Sequence, residues 1–218
     1  MAAENRVEMT APPTSAGRQV ALAAKRAIDL TGSLAALVVL GPFLVAVALA
    51  IYVVDGRPIL FVQDRAGLHG RPFRIVKFRT MRIGADAERA KLRDRNEIVG
   101  GASFKLTNDP RVTRLGRTLR RMSIDELPQL VNVLKGQMSL VGPRPHPFDD
   151  VAGYADWHFR RFAMKPGITG PWQISARRDT DFDRWVRLDL DYIEHWSPLL
   201  DIRIMVSTIP ALLRSEGR

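Results

Sequence analysis

The run LTGSLAALVVLGPFLVAVALAIYVV, Leu30 to Val54, contains no charged side chain. About 20 helical residues cross the hydrocarbon of a bilayer, so a run of this length reads first as a membrane segment. It starts too late and is too long for a cleaved signal peptide. A very hydrophobic buried helix of a soluble protein is the plainer alternative. Gly41-Pro42 falls near its middle, and proline removes one helical hydrogen bond. Two geometries compete: a kinked helix that spans, and a helix–break–helix hairpin that enters and leaves by one face. Residues 1–30 carry four basic and three acidic side chains, and residues 55–218 carry 29 and 20. Lys25 and Arg26 lie just before the run, so both flanks favour the cytoplasmic side, which suits a hairpin.

Upstream, the residues to about 20 mix Pro, Ala, Ser and Thr and read as a mobile tail. Downstream, Ile59–Gln63 and Phe73–Phe78 read as two short strands around Gly67-Leu68-His69-Gly70. The second runs into KFRTM (77–81), where alternation would turn Lys77 and Arg79 to one face. Residues 84–97 are Ala-rich and charged, the composition of an exposed helix. From Arg111 to Met122, Val112, Leu115, Leu119 and Met122 recur at helical steps, with Arg111, Arg114, Arg117 and Arg121 opposite. That is a basic amphipathic helix suited to an anionic membrane surface.

That helix leads into Ser123-Ile124-Asp125-Glu126-Leu127-Pro128-Gln129. Leu127, Leu130, Val131 and Leu134 continue at helical spacing up to Gly136. Pro128 fits if Asp125 is the N-cap and the proline falls in the first turn. Asp125 is then either an ordinary helix cap or a carboxylate held ionised where backbone N–H groups converge. Further on, Pro143 and Pro145 flank Arg144 and leave its guanidinium little backbone freedom. Residues 165–173 form a Gly/Pro turn region, and 182–196 a helix with Trp185, Leu188, Tyr192 and Trp196. The segment Ile202–Leu213 is apolar enough to lie on a bilayer.

The 218 residues allow one compact domain plus an appendage, and 46% hydrophobic content supplies a core. A net charge of +10 implies an anionic partner: nucleic acid, phospholipid or a phosphorylated small molecule. With no cysteine, thiolate and disulfide chemistry is excluded, and four scattered histidines do not make a zinc site. No phosphate-loop signature is present. What remains is one Asp-Glu pair among fixed cations. Carboxylates and phosphates repel, so such a pair acting on a phosphorylated substrate needs a mediating cation. Mg²⁺, which takes one or two carboxylates plus phosphate oxygens, is the natural one. An aspartate can then attack phosphorus, as in aspartyl-phosphate ATPases.

The strings KFRTM (77–81), TNDPRVTRLGR (107–117), SIDELPQLVNVLKGQMSLVGPRP (123–145) and PGITGPWQ (166–173) resemble the bacterial sugar transferase family, the monotopic polyprenyl-phosphate phosphoglycosyl transferases. The similarity runs over nearly the whole chain and matches the small, catalytic-core form. The resemblance implies transfer of a hexose 1-phosphate from a UDP-sugar to undecaprenyl phosphate, with UMP released, at the cytoplasmic face of the bacterial inner membrane. It implies a re-entrant hairpin broken at Pro42, Asp125 as nucleophile and Glu126 as its Mg²⁺-associated partner. Arg144 becomes the phosphate-binding match, with Lys77, Arg79 and Arg121 in support. Gln173 and Arg177 match the nucleotide region, although Ala176-Arg177 stands where related members carry Gly-Arg.

The expected architecture is mixed α/β and mainly helical. It has a tail (1–20), a membrane hairpin (21–55) and a cytoplasmic catalytic domain (56–218) with amphipathic interfacial helices and a short sheet. The expected partners are a UDP-sugar, undecaprenyl phosphate and membrane phospholipids, with no nucleic acid, and a homodimer is compatible with the reading. Competing classes are a membrane-anchored basic module that binds nucleic acid or acidic lipid without catalysis, and a metal-dependent lipid pyrophosphatase.

Overall fold

The structure, a computed structural model, describes residues 16–99, 102–176 and 179–213. Helix α1 spans Ala16–Val54, 39 residues, and is the one described helix long and apolar enough to cross a membrane. Residues 16–20, read above as tail, belong to it. Its hydrogen bonding continues through Pro42, so the expected helix–break–helix is not an interruption of the helix. The proline removes only its own N–H from the ladder, and the turns on either side keep theirs.

Two stretches of α1 are buried. Lys25, Asp29 and Ser33 are enclosed near its start, and Val47 and Ile51 near its end. Between them Leu34, Val38, Val39 and Phe43 are exposed. Both buried stretches pack on the same globular domain, and the apolar middle faces outward.

That domain begins with an antiparallel hairpin, β1 (Leu60–Ala66) and β2 (Pro72–Phe78), in the register Leu60↔Phe78 and Val62↔Val76. The charged stretch expected as one helix breaks into α2 (Ala85–Glu88) and a 3₁₀ segment at Ala90–Arg95. It has no apolar stripe to bury, and propensity alone does not hold a short helix. Helix α3 covers Arg114–Arg121, and Thr113 caps it by accepting from the Gly116 N–H at 2.9 Å. Arg111 lies before the helix, not on its basic face. Its guanidinium is buried and bonds Asp109 and the Ala85 carbonyl.

A 3₁₀ turn at Ile124–Gln129 then passes into α4 (Leu130–Leu134). Strand β3 (Ser139–Val141) pairs in parallel with β4 (Gly167–Thr169). Helix α5 (Phe148–Val151) lies between those strands in sequence, and α6 (Pro171–Ser175), α7 (Phe182–Glu194) and α8 (Pro198–Leu213) follow within the described residues.

Four apolar clusters follow from this arrangement. Val47 and Ile51 of α1 pack with Phe78 and Leu119, so the apolar stripe of α3 meets α1. Phe73 and Ile75 of β2 pack on Val133 and Met138. Val141, Met164, Tyr192 and Ile204 join the β3–β4 pair to α7 and α8. Phe182, Trp185 and Val186 of α7 close over Trp172. Helix α8 turns Asp201 and Ile204 inward and leaves Leu199, Ile202, Val206 and Ile209 exposed along one side.

Candidate active site

The Asp-Glu pair is carried by the 3₁₀ turn, not by the start of an α-helix. Ser123 takes the position before it in the left-handed region (φ 56°, ψ 21°), and Asp125 lies within the first turn. The expectation that Asp125 is the N-cap is therefore corrected. The Ser123 side chain makes no cap hydrogen bond to this turn, and the Glu126 N–H bonds the Ser123 carbonyl at 3.2 Å. The left-handed serine turns the chain sharply out of α3 and presents two successive carboxylates to β2.

Strand β2 answers with Lys77, whose ammonium bonds Glu126 Oε1 at 2.7 Å. Asn132 of α4, a buried side chain, grips the backbone of the strand just before Lys77. Its amide donates to the Arg74 carbonyl at 2.7 Å and accepts from the Val76 N–H at 3.1 Å. A polar residue between Val131 and Val133 was its only trace in the sequence.

Arg144 approaches from the other side, with Nη2 3.2 Å from the same Glu126 oxygen. The turn that carries it is braced against β4: Gly142 N donates to the Thr169 carbonyl, and Gly167 N to that of Pro143, each at 2.9 Å. A Cβ at Gly142 would lie 2.3 Å from the Lys165 carbonyl oxygen, so only glycine permits this approach.

Not every cation expected here arrives. Arg79 is buried, and its guanidinium donates to the carbonyls of Asp55, Gly56 and Arg57 at 2.6–3.0 Å. It holds the turn that ends α1, and Lys77 and Arg79 part company because β2 stops at Phe78. Arg121 is exposed on α3. Its neighbour Arg120 faces the site instead, with Nε donating to Thr80 Oγ1 at 2.7 Å and its charge acting on Asp125. Arg65, at the end of β1, is a further missed cation. It donates to the Pro145 carbonyl at 3.2 Å, and burial, then Arg144, lower its pKa to about 10. Arg120 borders the apolar stripe of α3, a position that can turn inward. Arg65 had no sequence signal beyond its charge.

The electrostatics follow from this crowding. Burial first, then the charge of Glu126, push the Asp125 carboxyl up to about 6, against the pull of Lys77, Arg120 and Arg144. Burial also lowers Lys77 and Arg120 from their ordinary values. Among the described residues no group of three His, Cys, Asp or Glu converges as a preformed metal cage. The pair alone fits Mg²⁺, which needs one or two carboxylates and takes phosphate oxygens and water for the rest. The mutual repulsion that raises Asp125 is what a divalent cation would relieve.

Gln173 sits in α6, where Nε2 donates to the Ile168 carbonyl at 2.8 Å and Oε1 is buried without a partner among the described residues. Arg177 lies outside the described residues. An open groove of about 580 Å³ on the hairpin, lined by Val62, Arg74 and Val76, contains none of the site residues. The arrangement can bind a polyanion and place one ionisable carboxylate against it.

The profile of the family described as bacterial sugar transferase matches residues 20–215. The chain is 46% identical over 198 residues to the galactosyl transferase CpsE of Streptococcus agalactiae serotype III, covering 90% of this chain and 43% of that one. It is 46% identical over 197 residues to the undecaprenyl-phosphate glucose phosphotransferase of Komagataeibacter xylinus, covering 85% and 35%. With the exopolysaccharide production protein ExoY of Rhizobium meliloti it shares 37% over 207 residues, 94% and 92%. The chain thus spans less than half of the first two relatives and nearly all of the third.

Proposed function

Because the chain belongs to the bacterial sugar transferase family, we propose that it transfers a hexose 1-phosphate from a UDP-sugar to undecaprenyl phosphate and releases UMP. The observation that carries the reading is the buried Asp125 beside Glu126, facing Lys77, Arg120 and Arg144. The undecaprenyl-phosphate acceptor is named for the relative from Komagataeibacter xylinus, and exopolysaccharide production for the one from Rhizobium meliloti.

In this reading an Asp125 oxygen attacks the sugar-bearing phosphorus of the donor. The new O–P bond forms as the bond from that phosphorus to the bridging oxygen breaks, and the electron pair leaves on UMP. Arg144, Lys77 and Arg120 hold the diphosphate and stabilise the charge that moves onto the leaving phosphate. Mg²⁺ held by Glu126 and Asp125 would neutralise the crowded anions and polarise the phosphoryl oxygens. An oxygen of the lipid phosphate then attacks the same phosphorus and expels the Asp125 carboxylate, leaving a lipid diphosphate sugar. The two half-reactions suit substrates that arrive from water and from the bilayer. Gln173 and Arg177 are proposed to face the nucleotide.

We place residues 21–55 in the cytoplasmic leaflet of the inner membrane as one continuous helix that does not reach the far face. A helix whose two flanks pack on one domain does not put those flanks on opposite faces of a bilayer. The exposed stretch Leu34–Phe43 is then the part in hydrocarbon, and the outer side of α8 rests on the interface. Labelling the N-terminus from each side of sealed vesicles tests this, and access from the periplasmic side would overturn it.

The test of the activity is UMP release from UDP-glucose, UDP-galactose and their N-acetyl relatives, with undecaprenyl phosphate, with and without EDTA. Mass spectrometry after donor alone should find a sugar-phosphate adduct on Asp125. Release that strictly requires both substrates, with no adduct, would refute the covalent route. Free sugar phosphate as the product would favour the pyrophosphatase.

A further inference from the structure

The Arg144 guanidinium lies over the indole of Trp172, its Cζ 5.2 Å from the ring centroid. The indole cannot drift. It is buried, packs against Trp185 with ring centroids 5.1 Å apart and the rings tilted by 35°, and shares its cluster with Ala176, Phe182 and Val186. Its N–H is buried and has no hydrogen-bond partner among the described residues, so apolar packing sets the plane of the ring.

Pro143 and Pro145 restrain the backbone at Arg144 but leave the torsions of its side chain free. Of the five N–H donors of a guanidinium, the contact to Glu126 occupies Nη2. A flat aromatic surface beneath the cation leaves in-plane movement open and opposes movement out of plane. Resting on the proposed phosphoglycosyl transfer, we propose that Trp172 is a positioning residue for the reaction. It holds the Arg144 guanidinium over its ring so that the cation can pass from Glu126 to the donor diphosphate by moving across the ring face. The free enzyme shows the first posture, with Glu126 standing in for the phosphate. In the second, the guanidinium stays over the indole and its N–H groups point at the diphosphate. Trp172 touches no substrate in either.

A double-mutant cycle on the full chain in nanodiscs tests this, read as kcat/KM for UMP release. W172F keeps a flat ring and should stay within about threefold of wild type, whereas W172L should fall by about tenfold, chiefly through KM for the donor. In the R144A background W172L should cost less than twofold more, because there is no cation left to position. Losses that multiply in the double variant would show that Trp172 serves packing alone and overturn the proposal.

Should W172L fail to fold, indole fluorescence decides. R144A should change the emission of the wild-type chain, and its effect should vanish in W172F. An emission change that persists in W172F, or none in wild type, overturns the proposal. Added pyrophosphate should perturb the same indole signal in wild type and not in R144A; an equal response in both would also overturn it. If the wild type releases no UMP from any UDP-sugar, the reading of function fails, and the emission tests still judge the Trp172–Arg144 pairing.

Discussion

Lys25, near the start of the apolar helix, donates at 2.9 Å to the carbonyl of Val141, the residue before the Gly142-Pro143-Arg144 turn. The same ammonium bonds Asp201 Oδ2 at 2.6 Å, and the Tyr192 hydroxyl donates to Asp201 Oδ1 at 2.7 Å and lies 3.2 Å from the Val141 carbonyl. At the far end of the helix, Arg79 holds the Asp55–Arg57 carbonyls, and Asp55 accepts from the Thr113 hydroxyl that caps α3. One flank of α1 thus supports the strand leading to Arg144. The other supports the helix leading to Asp125.

Breaking the first of these junctions should be costly. Lys25→Met leaves the Asp201 carboxylate buried with fewer donors, and losing one member of a buried pair costs about 3–5 kcal/mol. The double variant K25M/D201N should lose clearly less than the sum of the single changes. Thermal unfolding in detergent measures both, and additive losses would show that the pair is not coupled.

Asp125 should make the protein less stable where it is charged. Its carboxyl titrates near 6 in the folded chain, against about 3.9 unfolded. The folded state therefore binds the proton more tightly. The stability this confers is full below about pH 4 and is lost as pH rises through about 6. Asp125→Asn should abolish adduct formation, and above pH 6 without Mg²⁺ it should be more stable than wild type by about 3 kcal/mol. The difference should shrink on acidification; denaturant curves at pH 4.5 and 7.5 would reveal a constant gap if this is wrong.

The neighbouring arginines of α3 should behave differently. R120A removes a cation acting on Asp125 and should lower kcat/KM by about 10²-fold, within the range for one lost electrostatic partner. R121A, on the exposed side, should stay within about twofold, since exposed charges contribute little. R79M should reduce stability by a few kcal/mol through its lost carbonyl contacts, while donor KM in the folded fraction stays near wild type. Initial rates paired with melting curves separate the three.

Gly116→Ala probes how tightly α3 is seated. An added Cβ would lie 2.1 Å from the Thr80 carbonyl oxygen, which is backbone and has little room to yield. The helix would have to lift from the strand end that also holds Arg120 through Thr80 Oγ1. The change should cost about 3 kcal/mol or more and depress activity with it. A neutral melting temperature would mean that α3 sits farther from Thr80.

The sequence alone determined the parts that depend on near neighbours. The charge-free run to Val54 announced an apolar helix, alternation through Phe73–Phe78 marked β2, and Gly136, at φ 74°, ended α4 as its type implied. It also singled out Asp125, Glu126, Lys77 and Arg144, which the fold brings to one place. Only the tertiary structure decided which other cations join them. Arg120 was chosen over Arg121, Arg65 was added, Arg79 was taken by the end of α1, and Trp172 was set under Arg144. Periodicity is a local property and can be read along the chain. The partner a long, flexible side chain selects is the nearest unmet charge or carbonyl in three dimensions, and residues such as Asp55 and Arg79 or Arg144 and Trp172 become neighbours only once the chain has folded.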